Sequence, residues 1–320
     1  MSDTYTKFRD MEPGVSCCRP VLVVSMEDRV TLKGKPFVAL RLSDGDSEIN
    51  ANIFDATASR LNADGVENEQ PALAGITFRP PYYNIDALEK CAFPVSTDDF
   101  IRTAPIDIDK AYDEMIQIIS SSHSTTDDDS FPLCDFTQIL IYERKEAFKH
   151  SSAAKAIHHN LKGGLLYHSY RMVKAAEKIC DVYTSLDKEL LVCGAALHDI
   201  GKVIELDTNT YGNAEYSVDG RLEGHALIGV EIIDREGREW GVSTENLRRL
   251  KHLIASHHGK LEHGAITTPA LPEAAALHAL DMLDSRQYMF EDAYSSIQPG
   301  ELSGKVFGLE NSTVYLPVSC

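Results

Sequence analysis

The stretch GKPFVALRLSDGDSEINANIFD, from Gly34 to Asp55, decides how the first third of this chain folds. It contains two short β-rich runs, FVALRL and INANIFD, separated by turn residues. Asp44 and Gly45 lie between the runs, and both residue types tolerate the positive φ of a tight hairpin turn. A third run, VLVVSM, precedes the turn segment KGKP. The sequence therefore predicts three consecutive strands joined by tight turns.

These strands resemble the start of an OB-fold barrel, in which Gly34–Asp55 supplies the second and third strands. The chain that follows, to about Phe100, fits this fold less well. Residues 62–75 read as a polar loop, and the strand-like segment ITFRPPYYNIDALEK is broken by Pro80 and Pro81 where a barrel strand is expected.

Beyond Pro105 the periodicity becomes helical, with Asp107 or Asp109 as the candidate N-cap of the first helix. Residues 120–130, SSSHSTTDDDS, form a solvated acidic linker. The remainder predicts consecutive helices and no strand pair, with Gly259 just past one helix and Pro272 in the first turn of another. The predicted helices span roughly 134–150, 164–184, 187–200, 224–239, 243–258 and 272–294.

The predicted fold class is thus α+β with two domains, a β-barrel followed by an all-α domain. The expected boundaries are 1–103 for the OB-like nucleic-acid-binding domain and 104–150 for a helical linker containing the acidic serine-rich loop. Residues 151–294 form the helical domain, and residues 295–320 form a C-terminal tail.

Composition limits the partners of the chain. The formal net charge is −18, from 31 Lys and Arg against 49 Asp and Glu, so any nucleic acid must bind along a local groove. Seven cysteines without a CxxC pair are read as reduced thiols. No signal peptide and no apolar stretch of about 18 residues is found, which predicts a cytoplasmic protein without a membrane partner. Assembly into a homo-oligomer stays open.

Most of the twelve histidines lie between His158 and His278, near predicted helix ends. A single such histidine is more often a hydrogen-bonded core residue than a ligand. As a set, however, imidazole and carboxylate groups are the donors that hold Zn, Mn or Fe(II), and no cysteine joins the series. An adjacent His-Asp pair, such as His198-Asp199, can reach two ions at once. His257-His258 can converge on the second ion from another helix end.

The order of these residues resembles the HD superfamily of metal-dependent phosphohydrolases, whose pattern is H…HD…H…HH…D. The resemblance implies two divalent ions, with Mn²⁺ favoured and Fe²⁺, Mg²⁺, Zn²⁺ or Co²⁺ as alternatives. It implies that Asp199 bridges both ions around an activated water. The other implied ligands are His168, His198 and Asp281 for one ion, and His225, His257 and His258 for the other.

Within the superfamily, the sequence is similar to the YhaM-type 3′-to-5′ exoribonucleases, which join an OB-fold to an HD domain. The similar segments are GKPFVALRLSDGDSEINANIFD, TAPIDID, SHHGKLEHG and GELSGKVFGLENSTVYLP. Residues 60–95 and the acidic linker differ from the family.

Several residues are candidates for substrate contacts. Lys202 lies three residues after Asp199, so on a helix it projects from nearly the same face, and it could act in catalysis by holding a phosphate. A surface lysine that caps a helix is the alternative. His158 and His159 precede the first ligand helix, and a helix N-terminus favours an anion. Arg221 and Lys260 could neutralise the charge of a phosphate, or they could be solvated surface residues. Arg286 is a weaker candidate of the same kind.

On the barrel, an OB-fold binds single strands by stacking bases on aromatic side chains and following the backbone with cations. The candidates near the second and third strands are Phe37, Phe54, Lys33, Lys35 and Arg41, although both phenylalanines are expected to be buried in the core. A second basic and aromatic cluster comprises Arg79, Tyr82 and Tyr83.

The function expected from this resemblance is hydrolysis of single-stranded RNA from the 3′ end to nucleoside 5′-monophosphates. Single-stranded DNA is a further candidate substrate. A second enzyme hypothesis is an HD phosphodiesterase that acts on a small nucleotide or cyclic dinucleotide, for which a strand-binding barrel has no use. A third is a nucleic-acid-binding regulator with a vestigial HD domain, which the complete set of expected ligands disfavours.

Overall fold

The computed structural model describes residues 5–80, 82–124, 130–152, 161–208, 214–295 and 297–318. The chain forms two compact units, Met1–Arg102 and Thr103–Cys320. Each has its own hydrophobic core. In the described residues no helix is both long enough and apolar enough to cross a bilayer.

The first unit is a closed five-stranded barrel. Its strands are β1 (Ser16–Val30), β2 (Pro36–Ser43), β3 (Glu48–Phe54), β4 (Gln70–Arg79) and β5 (Tyr82–Lys90). Their order around the barrel is β1-β2-β3-β5-β4. All neighbouring pairs are antiparallel except β3 with β5, and β1 pairs with β4 to close the barrel. The predicted turn at Asp44 and Gly45 joins β2 to β3, and Gly45 has a φ of +86°.

The barrel therefore closes over residues 60–95, where the sequence was expected to fit an OB-fold less well. Pro80 lies in the turn between β4 and β5, outside both strands, so it costs no ladder hydrogen bond. Pro81 lies outside the described residues. The predicted polar loop at 62–75 was wrong at its second half, since β4 already begins at Gln70. A short helix, α1 (Ala58–Ala63), precedes it, with Thr57 as the N-cap.

Burial of the two phenylalanines was predicted and is wrong for Phe54, whose side chain is 54% exposed. Phe37 is half-buried, and the two rings pack on the outside of the barrel with centroids 5.7 Å apart. Phe37 and Phe54 are opposite residues on β2 and β3, so they share one face of the sheet. Val38 and Leu40 provide the inward-facing core residues of β2 instead.

The second unit is mainly helical. Asp107 caps the first of its helices by accepting a hydrogen bond from the Lys110 N–H, one of the two capping residues predicted. The helices are α2 (Ile108–Ser121), α3 (Leu133–Glu143), α4 (Lys145–His150), α5 (Gly164–Val182), α6 (Lys188–Leu197), α7 (Lys202–Glu205), α8 (Val218–Leu222), α9 (Gly224–Trp240), α10 (Thr244–Ser256) and α11 (Pro272–Tyr294).

Helix α6 runs through the centre of this unit. Its eight residues from Leu190 to Leu197 are all buried, and a helix that is apolar on every face must be surrounded. Helices α3, α5, α10 and α11 pack around it. The chain therefore leaves α6 inside the helical core, at His198 and Asp199.

Three parts of the second unit differ from the sequence expectation. The segment 104–150, treated as a linker, packs into the same core, where Met115, Phe136 and Phe148 are fully buried. The prediction of no strand pair was wrong: β6 (Leu206–Thr208) and β7 (Ala214–Tyr216) form a small ribbon. The segment 297–318, treated as a tail, docks on α11 through Leu309 and Val314.

Candidate metal centre

Five helices bring seven histidine and aspartate side chains together in the second unit. Three of the helices contribute these side chains from an end, where the chain turns away from the helix axis. The residues are His168 in α5, His198 and Asp199 after α6, His225 at the start of α9, His257 and His258 after α10, and Asp281 in α11.

Close packing at glycines makes this convergence possible. A Cβ on Gly201 would lie 2.0 Å from the carbonyl oxygen of His225, so the turn after Asp199 packs directly on the backbone where α9 begins. Gly259 has a φ of +77°, and a Cβ there would lie 2.4 Å from Nε2 of His278. Only glycine fits both positions without moving a neighbour.

The first cluster consists of His168, His198 and Asp281. Nε2 of His168 lies 3.0 Å from Nε2 of His198 and 3.3 Å from Oδ1 of Asp281. All three ligand atoms lie within 4.8 Å of one another. This arrangement could hold one metal ion.

The second cluster consists of His225, His257 and His258. Nε2 of His225 lies 3.4 Å from Nε2 of His257 and 3.2 Å from Nε2 of His258. These ligand atoms also lie within 4.8 Å of one another and could hold a second ion.

Asp199 lies between the two clusters and is almost fully buried. Its Oδ2 is 3.3 Å from Nε2 of His198 and 3.8 Å from Nε2 of His168. Its Oδ1 is 3.4 Å from Nε2 of His225 and 3.9 Å from Nε2 of His257. Each carboxylate oxygen therefore faces a different cluster.

Hydrogen bonds fix which ring nitrogen points inward. Nδ1 of His198 donates to the carbonyl of Ala195 at 2.9 Å, and Nδ1 of His257 donates to the carbonyl of Ile254 at 2.6 Å. Because a carbonyl only accepts, both Nδ1 atoms carry the hydrogen, and each Nε2 keeps its lone pair for a metal.

Carboxylates do the same for two other histidines. Nδ1 of His168 is 2.7 Å from Oδ2 of Asp284, and Nδ1 of His225 is 3.0 Å from Oε1 of Glu205. Arg171 donates to the other oxygen of Asp284 at 2.5 Å. Such outer partners orient the ring and raise its basicity as a ligand.

The surroundings set the protonation of the ligands. Burial alone would lower the pKa of His168, but the adjacent Asp281 and Asp284 raise it to about 10. Burial and the charge of His258 hold the pKa of His257 well below its ordinary value, so that ring is neutral. Burial alone would raise the pKa of Asp281, yet His168 lowers it, and the carboxylate stays ionised.

This donor set fits two divalent cations. Imidazole nitrogen and carboxylate oxygen suit Mn²⁺, Fe²⁺, Co²⁺ and Zn²⁺, and no cysteine lies among these residues. Each cluster offers three ligands plus one oxygen of Asp199, which leaves room for further ligands from substrate or solvent. The buried Asp199 and partly buried Asp281 carboxylates supply the negative charge that compensates such ions.

A cavity of about 360 Å³ opens onto the clusters and is lined by His168, Asp199, His258 and Asp281. Lys202 also lines it, with Nζ 2.8 Å from Oδ2 of Asp199. Burial alone would lower the pKa of Lys202, but Asp199 raises it, so the ammonium stays charged. A phosphate in the cavity would meet this cation next to the clusters.

The other residues predicted to contact substrate differ in whether they line this cavity. Arg221 is exposed on α8, and Lys260 is exposed and pairs with Glu262 at 3.5 Å. Neither is among the described residues that line the cavity. His158 and His159 lie outside the described residues. Arg286 does line the cavity.

Sequence reasoning missed Asp284, Arg171 and Glu205. Asp284 follows Asp281 by three residues on α11, a spacing that places both on one helix face. Glu205 follows Asp199 closely in LHDIGKVIEL. These spacings could have indicated outer carboxylates, whereas Arg171 depends on a contact 113 residues away.

The HD domain model matches residues 165–286, which contain all seven candidate ligands. The chain is 33% identical over 315 residues to the 3′-5′ exoribonuclease YhaM of Bacillus subtilis (strain 168), covering 96% of both proteins. It is 32% identical over 313 residues to the 3′-5′ exoribonuclease YhaM of Listeria monocytogenes serotype 4b (strain CLIP80459), covering 97% of both.

The chain belongs to the YhaM family.

Membership extends over both units, including residues 60–95, because the matches to these YhaM proteins cover nearly the whole chain. The similarity to these YhaM proteins therefore includes both the barrel and the helical unit of this chain.

Proposed function

We propose that this chain is a metal-dependent 3′-to-5′ exoribonuclease that hydrolyses phosphodiester bonds of single-stranded RNA. The observation that carries the proposal is the position of Asp199, whose two oxygens face two separate ligand clusters. The 3′-5′ exoribonuclease relatives, similar over nearly the full length, support the substrate and the direction.

The ligand assignment follows from the two clusters. Two divalent ions held by these residues would lower the pKa of a bound water molecule and offset the charge that develops on the phosphate oxygens. Asp199 would bridge the ions. His168, His198 and Asp281 would complete the first site, and His225, His257 and His258 the second.

The chain's own groups position the reacting phosphate. Lys202 can donate to a non-bridging phosphate oxygen from beside Asp199, where its charge opposes that of the pentavalent transition state. The water oxygen bonds to phosphorus as the bond from phosphorus to the upstream O3′ breaks. The products are a nucleoside 5′-monophosphate and an RNA shortened by one residue with a free 3′-hydroxyl.

The ion that suits these ligands is a borderline or hard divalent cation. We favour Mn²⁺, because mixed imidazole and carboxylate sites bind it without thiolate. Fe²⁺, Mg²⁺, Zn²⁺ and Co²⁺ are the alternatives. Reconstitution of chelator-treated protein with each ion, at equal free concentration, would rank them by turnover.

The barrel supplies a surface suited to a single strand. Phe37 and Phe54 form an aromatic pair on its outer face, and Lys33 and Lys35 are exposed in the turn between β1 and β2. Bases can stack on the rings while lysines follow the phosphates. Tyr82, which is 66% exposed, offers a second aromatic contact. Single-stranded DNA would use the same contacts.

A small nucleotide is the second candidate substrate, because a cavity of about 360 Å³ lies in the range of small-molecule pockets. The same volume accommodates one nucleotide at the end of a strand. We also propose that the protein acts in the cytoplasm, because RNA, the proposed substrate, is found inside the cell.

Comparative turnover separates these candidates. Mn²⁺-loaded protein would be given single-stranded RNA, single-stranded DNA, a cyclic dinucleotide and a nucleoside monophosphate, and kcat/KM measured for each. We expect the highest value for RNA and release of nucleoside 5′-monophosphates. Hydrolysis of the cyclic dinucleotide with intact RNA would favour the second candidate, and RNA binding without hydrolysis would refute both.

A further inference from the structure

The cavity continues beyond the clusters along one face of α11. Asp281, Met282, Ser285, Arg286 and Met289 all line it. Their three- and four-residue spacing keeps them on one side of the helix. From Asp281 to Met289 the helix rises about 12 Å, so the cavity extends well past the reaction centre.

Another wall of the cavity is a turn of the C-terminal segment that includes Gly308 and Glu310. This turn is firmly held. Leu309 and Val314 are buried against Ala293 of α11, the Asn311 N–H donates to Val306, and the Ser312 N–H donates to Leu309. The wall is therefore a fixed part of the helical unit.

The backbone of this turn is unusual. Glu310 and Asn311 are consecutive and have φ values of +58° and +60°. Non-glycine residues rarely adopt this region, and such strain tends to lie at functional sites. The turn thereby holds the Glu310 carboxylate at the cavity, where it accepts a hydrogen bond from Arg286 at 2.7 Å.

Stability does not explain this ion pair. The Glu310 side chain is 82% exposed and that of Arg286 is 44% exposed. Exposed pairs of this kind contribute little to stability, so exchanging Glu310 for another anion costs little.

The charges that line the cavity indicate which anion could replace the Glu310 carboxylate. Among the described lining residues, Lys202 and Arg286 are the lysine and arginine cations, and Lys202 already contacts Asp199. On a chain of net charge −18, an RNA phosphate needs a local cation to enter the cavity. The planar guanidinium is well suited to two hydrogen bonds with a phosphate.

We propose that Arg286 binds the RNA phosphate next to the scissile one, in place of Glu310, which holds the guanidinium at the cavity when RNA is absent. This inference rests on the proposed function. A 3′-terminal nucleotide carries no phosphate beyond the scissile one, so the neighbouring phosphate lies on the 5′ side. Arg286 follows Asp281 by five residues, about 7.5 Å along the helix axis, so it lies further along the cavity than the clusters.

The two residues should have opposite effects on RNA binding. Removing the cation in Arg286→Ala should raise KM for single-stranded RNA about tenfold, the size of one charge-assisted contact. It should also make the dependence of log KM on log salt concentration shallower by about 0.7. Glu310→Gln frees the guanidinium and should lower KM about two- to threefold. Arg286→Lys should be intermediate.

The test uses full-length, Mn²⁺-loaded protein and 5′-labelled RNA, and KM is obtained from initial rates of release of the 3′-terminal nucleotide at several salt concentrations. A second RNA carries one neutral methylphosphonate at the linkage on the 5′ side of the scissile bond. The wild type should bind this RNA less tightly than the unmodified RNA. Arg286→Ala should bind the two RNAs equally. Arg248→Ala and Glu245→Gln are matched controls, because these residues form an exposed ion pair on α10 away from the cavity lining.

An unchanged KM and salt dependence in Arg286→Ala would overturn the inference while the wild type still shortens RNA. A raised KM in Glu310→Gln would also overturn the inference, since the Arg286–Glu310 ion pair would then have a structural role. This second variant serves as the test if Arg286→Ala fails to fold. If the wild type leaves RNA intact, the proposed function fails, and this inference with it.

Discussion

Asp199 is the residue on which the two clusters depend, because each of its oxygens faces a different one. Asp199→Asn keeps the size of the side chain but removes the charge that would hold the two proposed cations together. We expect turnover of RNA to fall by orders of magnitude and the metal content to drop below that of the wild type. Steady-state kinetics and elemental analysis measure both.

Asp181→Asn, an exposed carboxylate at the end of α5, is the matched control and should behave as the wild type. Near-normal turnover of Asp199→Asn with unchanged metal content would show that the bridge is assigned wrongly.

His168 gives the pH dependence of metal loading. Its pKa of about 10 in the metal-free protein means that the ring is protonated at neutral pH, whereas a ligand must be neutral. Metal loading should therefore release a proton, and metal affinity should fall as the pH falls. Calorimetry of Mn²⁺ binding in two buffers of different ionisation enthalpy measures the proton.

The raised pKa of His168 also makes the stability of the metal-free fold depend on pH. Because the pKa of His168 is raised from 6.5, the metal-free fold gains stability below pH 6.5 and loses it as the pH rises toward 10. Asp284→Asn removes one of the charges that raise this pKa and should reduce proton release. Binding heats that do not depend on the buffer would contradict the protonated His168.

At the scale of elements, the turn after Asp199 should be intolerant of a side chain. In Gly201→Ala the new Cβ would lie 2.0 Å from the carbonyl oxygen of His225, so α9 must move and carry a ligand with it. We expect the free energy of unfolding to fall by about 1–3 kcal/mol, as in other overpacked sites, with a loss of turnover.

Denaturant unfolding and kinetics test this prediction, with Gly304→Ala as the control because a Cβ there meets nothing within 4 Å. Equal stability and turnover of Gly201→Ala and the wild type would show that the contact between the turn and α9 is not needed.

Long helices were predictable from sequence because their apolar periodicity spans several turns. The predicted helices 224–239 and 272–294 agree with α9 and α11 within a residue. The ribbon of β6 and β7 was not predictable, since three-residue strands show no period. The break at Arg144 between α3 and α4 also leaves no glycine or proline signal.

The candidate site was predictable in part. The ordered histidines and aspartates of the HD pattern lie together in the structure, because the pattern records residues at helix ends. The outer partners depend on distant contacts, such as His168 with Asp284 across 116 positions. The wall at Glu310 depends on the C-terminal segment docking on α11, which the predicted tail did not include.

For the whole molecule, the two units should divide binding from chemistry. The units have separate cores, so a chain of residues 103–320 should keep its metals and hydrolyse bis-nitrophenyl phosphate. Without the barrel, we expect KM for long single-stranded RNA to rise while turnover of the small diester is kept. Kinetics on both substrates, with metal content as the folding control, measure this division.

Equal KM values of the truncated and full-length proteins on long RNA would refute a binding role for the barrel. Loss of metal from the truncated protein would instead show that the helical unit needs the barrel in order to fold.

The direct test of the account is the pattern of products from RNA labelled at its 5′ end, with a circular RNA of the same sequence beside it. Two candidate metal sites that line a cavity would admit a free strand end, and the family relationship supports the 3′ end. We predict a ladder of progressively shorter labelled products that stalls where a hairpin begins, and an intact circle. Immediate release of the labelled mononucleotide, or cleavage of the circle, would contradict 3′-to-5′ exonucleolytic hydrolysis.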